Sequence, residues 1–143
     1  FAVIRLCTYF LAYFCVAFCI RFSPRVGLCW TLALVLERGL SGLAVAAFPM
    51  AKNTGLAHTF ATAADRESVQ KILIVLSVLL AAALIALGGG ALVVAALLML
   101  WRYHHVAVKE FGGITGDLAG WFLQKAEFWM LAALAASQWG GIL

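Results

Sequence analysis

The sequence is short of charge. Only 11% of its 143 residues are charged and 66% are hydrophobic, against roughly 25% charged and 45–50% apolar in soluble domains. A water-soluble fold of this length needs far more polar surface, because even a compact domain exposes much of its chain. That shortage excludes a soluble enzyme, a disordered tail and a secreted disulfide scaffold. Clustered bases are missing too. The net charge of +4 comes from Lys and Arg scattered at the ends of apolar runs, the bias of membrane-protein loops and not a nucleic-acid patch. Cys7, Cys15, Cys19 and Cys29 lack metal-ligand spacing and lie in or beside apolar segments. Packing as small hydrophobes is the preferred role for them over thiol chemistry. No small-x-small cleavage pattern surrounds Arg21-Phe22-Ser23-Pro24-Arg25, so the first apolar run is not a signal peptide. The chain opens on Phe1 and not Met, so residues upstream are expected. What remains is an all-α, polytopic integral membrane bundle, residues 1–143 forming a single transmembrane domain.

A crossing helix needs about 20 apolar residues. The pattern predicts five runs: Phe1–Ile20, Val26–Pro49, Ile72–Leu87, Ala91–Val108 and Asp117–Ser137. The third is short for a full crossing. Gly88-Gly89-Gly90 separates it from the fourth, and three glycines inside one long helix would cost roughly 1 kcal/mol each relative to Ala. A hairpin is therefore expected there. Five spans place the chain start, the 50–71 loop and the 109–116 turn on one side, with Lys52, Arg66, Lys71 and Lys109. Arg21, Arg25, the triple glycine and the C-terminus fall on the other. Basic residues favour the cytoplasm, which assigns the first side to it. Within the loop, Thr62-Ala63-Ala64-Asp65 has the form of a helix N-cap. The rest of that loop suits either the headgroup layer or a solvated connector.

Ionisable residues inside a span cost about 2.5–3.5 kcal/mol on insertion scales and default to functional or pairing roles. Glu37-Arg38 in the second run and Glu127 in the last lie at similar depth, roughly 15–17 Å from the same end. An Arg38–Glu127 ion pair is therefore allowed, whether functional or purely structural. Asp117, Gly120, Gln124 and Glu127 share one helical face. Asp117 follows the turn Phe111-Gly112-Gly113-Ile114-Thr115-Gly116. Free glycine amides and a helix N-terminus, carrying about half a positive charge, suit a phosphate, although such turns also serve simply to reverse the chain. Arg38-Gly39-Leu40-Ser41-Gly42 places small residues where a neighbouring helix could pack closely. His104-His105 and His58 sit at or beyond helix ends, too few for a zinc site.

These residues together resemble the cobalamin synthase family (adenosylcobinamide-GDP ribazoletransferase). The Phe111–Asp117 turn leading into a helix with Gln124 and Glu127 resembles that family's C-terminal end. Glu37-Arg38-Gly39 looks like its intramembrane Ser-Arg-Gly position, and Lys52-Asn53-Thr54-Gly55-Leu56 with Phe60 resembles its Gly-Leu loop. The likeness runs from about Leu28 to Leu134. Two features depart from the family pattern. Its acidic signature, Asp-Gly-x-Ala-Asp with a further Asp, is absent from a chain whose only aspartates are Asp65 and Asp117, and many relatives carry an acid at the place of Gln124.

The resemblance implies transfer of α-ribazole, or its 5′-phosphate, onto adenosylcobinamide-GDP with release of GMP, at the cytoplasmic face of the cell inner membrane. It implies catalytic roles for Arg38, Asp117 and Glu127. Gly112, Gly113, Thr115, Gly116 and Gln124 would bind substrate. Mg2+ is the implied cofactor, with its ligands mainly on an upstream half that the chain does not include, so that this fragment alone is expected to be inactive. Implied partners are the two small-molecule substrates and membrane lipid, with no nucleic acid; a homo-oligomer is allowed. The competing reading is a small transporter or channel subunit, since buried Arg and Glu beside broken helices also mark substrate paths.

Overall fold

The computed structural model describes residues 2–49 and 66–143. Five helices follow one another: α1 (Ala2–Phe18), α2 (Pro24–Ala47), α3 (Arg66–Ala86), α4 (Gly90–Phe111) and α5 (Gly116–Trp139). No strand occurs among the described residues. This is the all-α membrane bundle that the composition demands. Helices α2, α3 and α4 are long and apolar enough to cross a bilayer. The expectation of five comparable spans needs refinement at both ends of the chain. Helix α1 is apolar but has 17 residues, and α5 has 24 but carries Asp117, Lys125 and Glu127 along its first half.

Local chemistry sets the boundaries. Ser23 caps α2 by accepting a hydrogen bond from Val26 N at 3.2 Å, and Pro24 opens the helix, where a missing N–H is harmless. The apolar run beginning at Ile72 looked short because hydropathy cannot see the polar first turns. Helix α3 starts at Arg66, stapled by Lys71 Nζ to Glu67 Oε1 at 2.7 Å. Its 21 residues then reach about 31 Å. The Thr62–Asp65 cap, His58 and the Lys52–Phe60 motif lie outside the described residues.

The triple glycine does form a hairpin. Gly88 takes φ +89°, a conformation open to glycine, and Gly89 N closes α3 on Leu84 O at 2.7 Å. The core is built on stripes at helical spacing: Ala33, Leu36, Leu40 and Ala44 of α2 meet Leu92, Ala96, Tyr103 and Ala107 of α4 and Leu118, Phe122, Ala126, Met130 and Leu134 of α5. Tyr103 stacks on Phe122 with ring centroids 5.0 Å apart. Helix α3 packs on α2, where Gly39 faces Ser77 and Gly42 faces Leu73, so close helix approach accounts for both glycines. Cys29 is buried as expected; Cys7, Cys15 and Cys19 are instead exposed on or just beyond α1, which leans mainly on α5 with most of its surface turned outward.

Two ends of the bundle result. At one, Ile114 N donates to Pro49 O at 2.8 Å, and Arg66 donates to Ala46 O at 2.6 Å and Phe48 O at 3.3 Å. Gln70 joins Arg66 on Ala46 O. At the other, Arg21 meets Gln138 and Arg25 Nε donates to Leu87 O at 2.9 Å. The turn after Phe111 therefore emerges beside Arg66–Gln70, on the same end of the bundle.

Candidate functional site

Helices α2 and α5 position the intramembrane charges. Arg38 and Glu127 stand about ten residues inward from the shared end, roughly 15 Å deep. Glu37 is wholly buried, while the side chain of Arg38 is 61% exposed. Arg38 Nε lies 3.4 Å from Glu37 Oε1, yet neither carboxylate oxygen of Glu37 accepts a hydrogen bond among the described residues. The ion pair allowed between Arg38 and Glu127 is not made. Glu127 instead accepts a hydrogen bond from Tyr13 of α1, O to Oε1 3.2 Å. One turn earlier, Tyr9 donates to Gln124 O at 3.3 Å. Glu37, Glu127, Tyr9 and Tyr13 lie within Coulombic reach of one another. A buried carboxylate, a second half-buried one, an open guanidinium and two phenols thus gather at mid-depth.

The α5 face predicted from spacing is real and open. Asp117, Gly120 and Gln124 are exposed, and nothing lies within 4 Å of where a Cβ on Gly120 would sit. Asp117 occupies the first turn of α5, where a carboxylate is favoured by the helix dipole. Lys125, next to the stripe, is exposed as well.

The turn differs from the expectation in one respect. Gly112, at φ +68°, donates its N–H to Ala107 O, and Gly113 N donates to the same carbonyl at 2.9 Å. These amides close the end of α4, a C-cap that glycine makes readily, so they are not free to cradle an anion. Ile114 N is spent on Pro49. Thr115 Oγ1 accepts from Leu118 N at 3.2 Å, and its O–H donates to none of the described residues. The amides of Gly116 and Asp117, in the first turn of α5, have no partner among the described residues. An anion at this turn would therefore be met by Thr115, Gly116 and Asp117 N–H, not by Gly112 and Gly113.

Sequence reasoning passed over Tyr9, Tyr13 and the burial of Glu37. Two tyrosines four residues apart on a mostly apolar helix were the available signal, since a phenol in a span needs a partner. His104 and His105 lie inside α4 and not at its end, since the helix continues to Phe111; they sit against Phe48 and Trp101. Among the described residues no group of three His, Cys, Asp or Glu side chains could hold a metal ion. These residues do not fit a magnesium centre by themselves.

Comparison with known proteins identifies the family. A family profile described as cobalamin-5-phosphate synthase matches residues 1–135. An adenosylcobinamide-GDP ribazoletransferase from Lachnoclostridium phytofermentans is 36% identical over 138 residues, covering 94% of this chain and 51% of the relative. The chain thus spans about half the length of that curated protein. No solved structure matches.

Proposed function

The chain belongs to the cobalamin-5-phosphate synthase family, and from that membership we propose that it forms part of an adenosylcobinamide-GDP ribazoletransferase. In this reading a hydroxyl of α-ribazole, or of its 5′-phosphate, attacks the cobinamide-side phosphorus of the phosphoanhydride. One P–O bond forms, the P–O bond to GMP breaks, and the hydroxyl proton is released. Such a step depends on placed charge around the phosphates and on alignment of the nucleophile.

One observation carries the proposal: Arg38 presents an exposed guanidinium at mid-depth, backed by the buried Glu37. A cation held there is costly in hydrocarbon, which is consistent with an anionic ligand on that side of α2. Arg38 would neutralise phosphate oxygens. Asp117 and Thr115 would receive the substrate at the mouth, with Gly116 amide, and Gln124 and Glu127 would line the path between. Glu127, fixed by Tyr13, would orient polar groups of the substrate. Magnesium belongs to the proposal through the family resemblance, with ligands outside the described residues, and no step here is routed through it. The cell inner membrane, with this mouth on the cytoplasmic side, is part of the same reading. The family match favours it over a transporter or channel subunit.

The test uses the full-length protein reconstituted in lipid, with GMP release measured from adenosylcobinamide-GDP and α-ribazole. Loss of one charge-stabilising group typically lowers turnover about 10²–10³-fold, and that is the expected result for Arg38→Ala. Asp117→Asn keeps the backbone amide and removes the carboxylate, so it is expected to lower kcat more than it raises KM. Unchanged GMP release from both variants overturns the site assignment.

A further inference from the structure

The opposite end of the bundle carries a second site that does not depend on the proposed reaction. Arg21, Phe22 and Ser23, the link between α1 and α2, face Gln138 and Trp139 at the end of α5 across a cavity of about 560 Å3. The cavity has a built frame. Gln138 clasps the main chain of Arg21 in both directions: Arg21 N donates to its Oε1 at 2.9 Å, and its Nε2 donates to Arg21 O at 2.7 Å. That clasp fixes the backbone, and the guanidinium has no hydrogen-bond or ion-pair partner among the described residues. Arg25 stands nearby, with Nε on Leu87 O. Neither arginine has a carboxylate within ion-pairing distance among the described residues. No Asp or Glu occurs between residues 1 and 36, 68 and 109, or 128 and 143, the stretches that form this end among the described residues.

The rim is apolar in a specific way. Phe22 is 84% exposed and Trp139 81%, large aromatics at the end of membrane helices, where such rings favour the headgroup level. A separate apolar groove between α4 and α5 begins at the same end, lined by Ala91, Val94, Ala95, Ala132 and Ala136. Cationic side chains at the surface, an aromatic collar and an apolar groove at the same end of the bundle match one ligand class. We infer that the Arg21–Gln138–Trp139 cavity binds the phosphodiester headgroup of an anionic phospholipid, with an acyl chain laid along α5. A free phosphate ion would use the arginines but gain nothing from the collar or groove.

The experiment compares lipids on the intact, full-length protein in detergent by native mass spectrometry and thermal unfolding, titrating phosphatidylglycerol, phosphatidylcholine and soluble glycerol phosphate. Half-saturation is expected at least tenfold lower for phosphatidylglycerol than for phosphatidylcholine, with no protection from glycerol phosphate at the same concentration. Arg21→Gln should abolish the preference and Arg21→Lys retain most of it. Equal binding of the two lipids, equal protection by glycerol phosphate, or a preference untouched in Arg21→Gln overturns the inference. Should Arg21→Gln fail to fold, the unaltered protein decides by its salt response. Raising ionic strength should shrink the preference, because partly exposed charge pairs are screened, and a salt-independent preference overturns the inference as well.

Discussion

Arg38 and Glu37 are neighbours in sequence with opposite surroundings, one largely open and the other sealed. Their removal should therefore not be symmetric. Arg38→Gln strips the counter-charge from a buried carboxylate that has no hydrogen-bond donor, the kind of change that destabilises most. Because the pair is half open to its surroundings, a loss of about 1–3 kcal/mol is expected. Glu37→Gln removes the buried charge and leaves an exposed arginine, so its unfolding midpoint should stay level or rise. Thermal unfolding of both variants checks this, and equal losses would contradict the asymmetry. Tyr13→Phe should cost about 1 kcal/mol, the net value of one hydrogen bond, and loosen α1 from Glu127. At this scale the sequence was partly legible. Spacing alone located the Asp117–Gln124–Glu127 face and the depth of Arg38. It could not reveal that Glu127 answers to Tyr13 and not to Arg38, because that depends on how α1 lies across α5, which no local pattern encodes.

Among the helices, the sharpest contrast lies within one glycine triplet. At Gly88 a Cβ would need φ +89° and would sit 3.1 Å from Arg25 Nη2 and 3.2 Å from Ile142 O. At Gly90, the first residue of α4, a Cβ would meet nothing within 4 Å. Gly88→Ala is expected to destabilise by about 1–2 kcal/mol, whereas Gly90→Ala should be neutral or stabilise by up to about 1 kcal/mol. Unfolding midpoints of the two variants, measured side by side, should move in opposite directions or differ clearly. The hairpin itself was readable, since three glycines oppose a helix interior. The start of α3 was not, because an apolar run marks where a helix meets hydrocarbon and not where its hydrogen bonds begin. The turn before α5 was readable as a turn. The commitment of the Gly112 and Gly113 amides to Ala107 depends on a helix end whose position the sequence left two or three residues uncertain.

For the whole bundle, the essential fact is which loops share an end. Alternating directions follow from counting apolar runs, so the meeting of Pro49, Arg66 and the Ile114–Asp117 segment was legible before any coordinates. Its tightness was not. Cysteines placed at Pro49 and Ile114, in a background lacking the native thiols, are expected to crosslink with a short bifunctional reagent; cysteines at Phe48 and Gly88 should not. Failure of the first pair would dissolve the mouth on which the proposed chemistry depends.

That single bond from Ile114 to Pro49 also limits how the protein can breathe. It ties the end of the helix that carries Arg38 to the turn that leads into the helix carrying Asp117, so separating the two must first break it. Helix α1 is held differently, by two phenolic hydrogen bonds to α5, so in the proposed reading it is the flank that yields most easily to a large ligand.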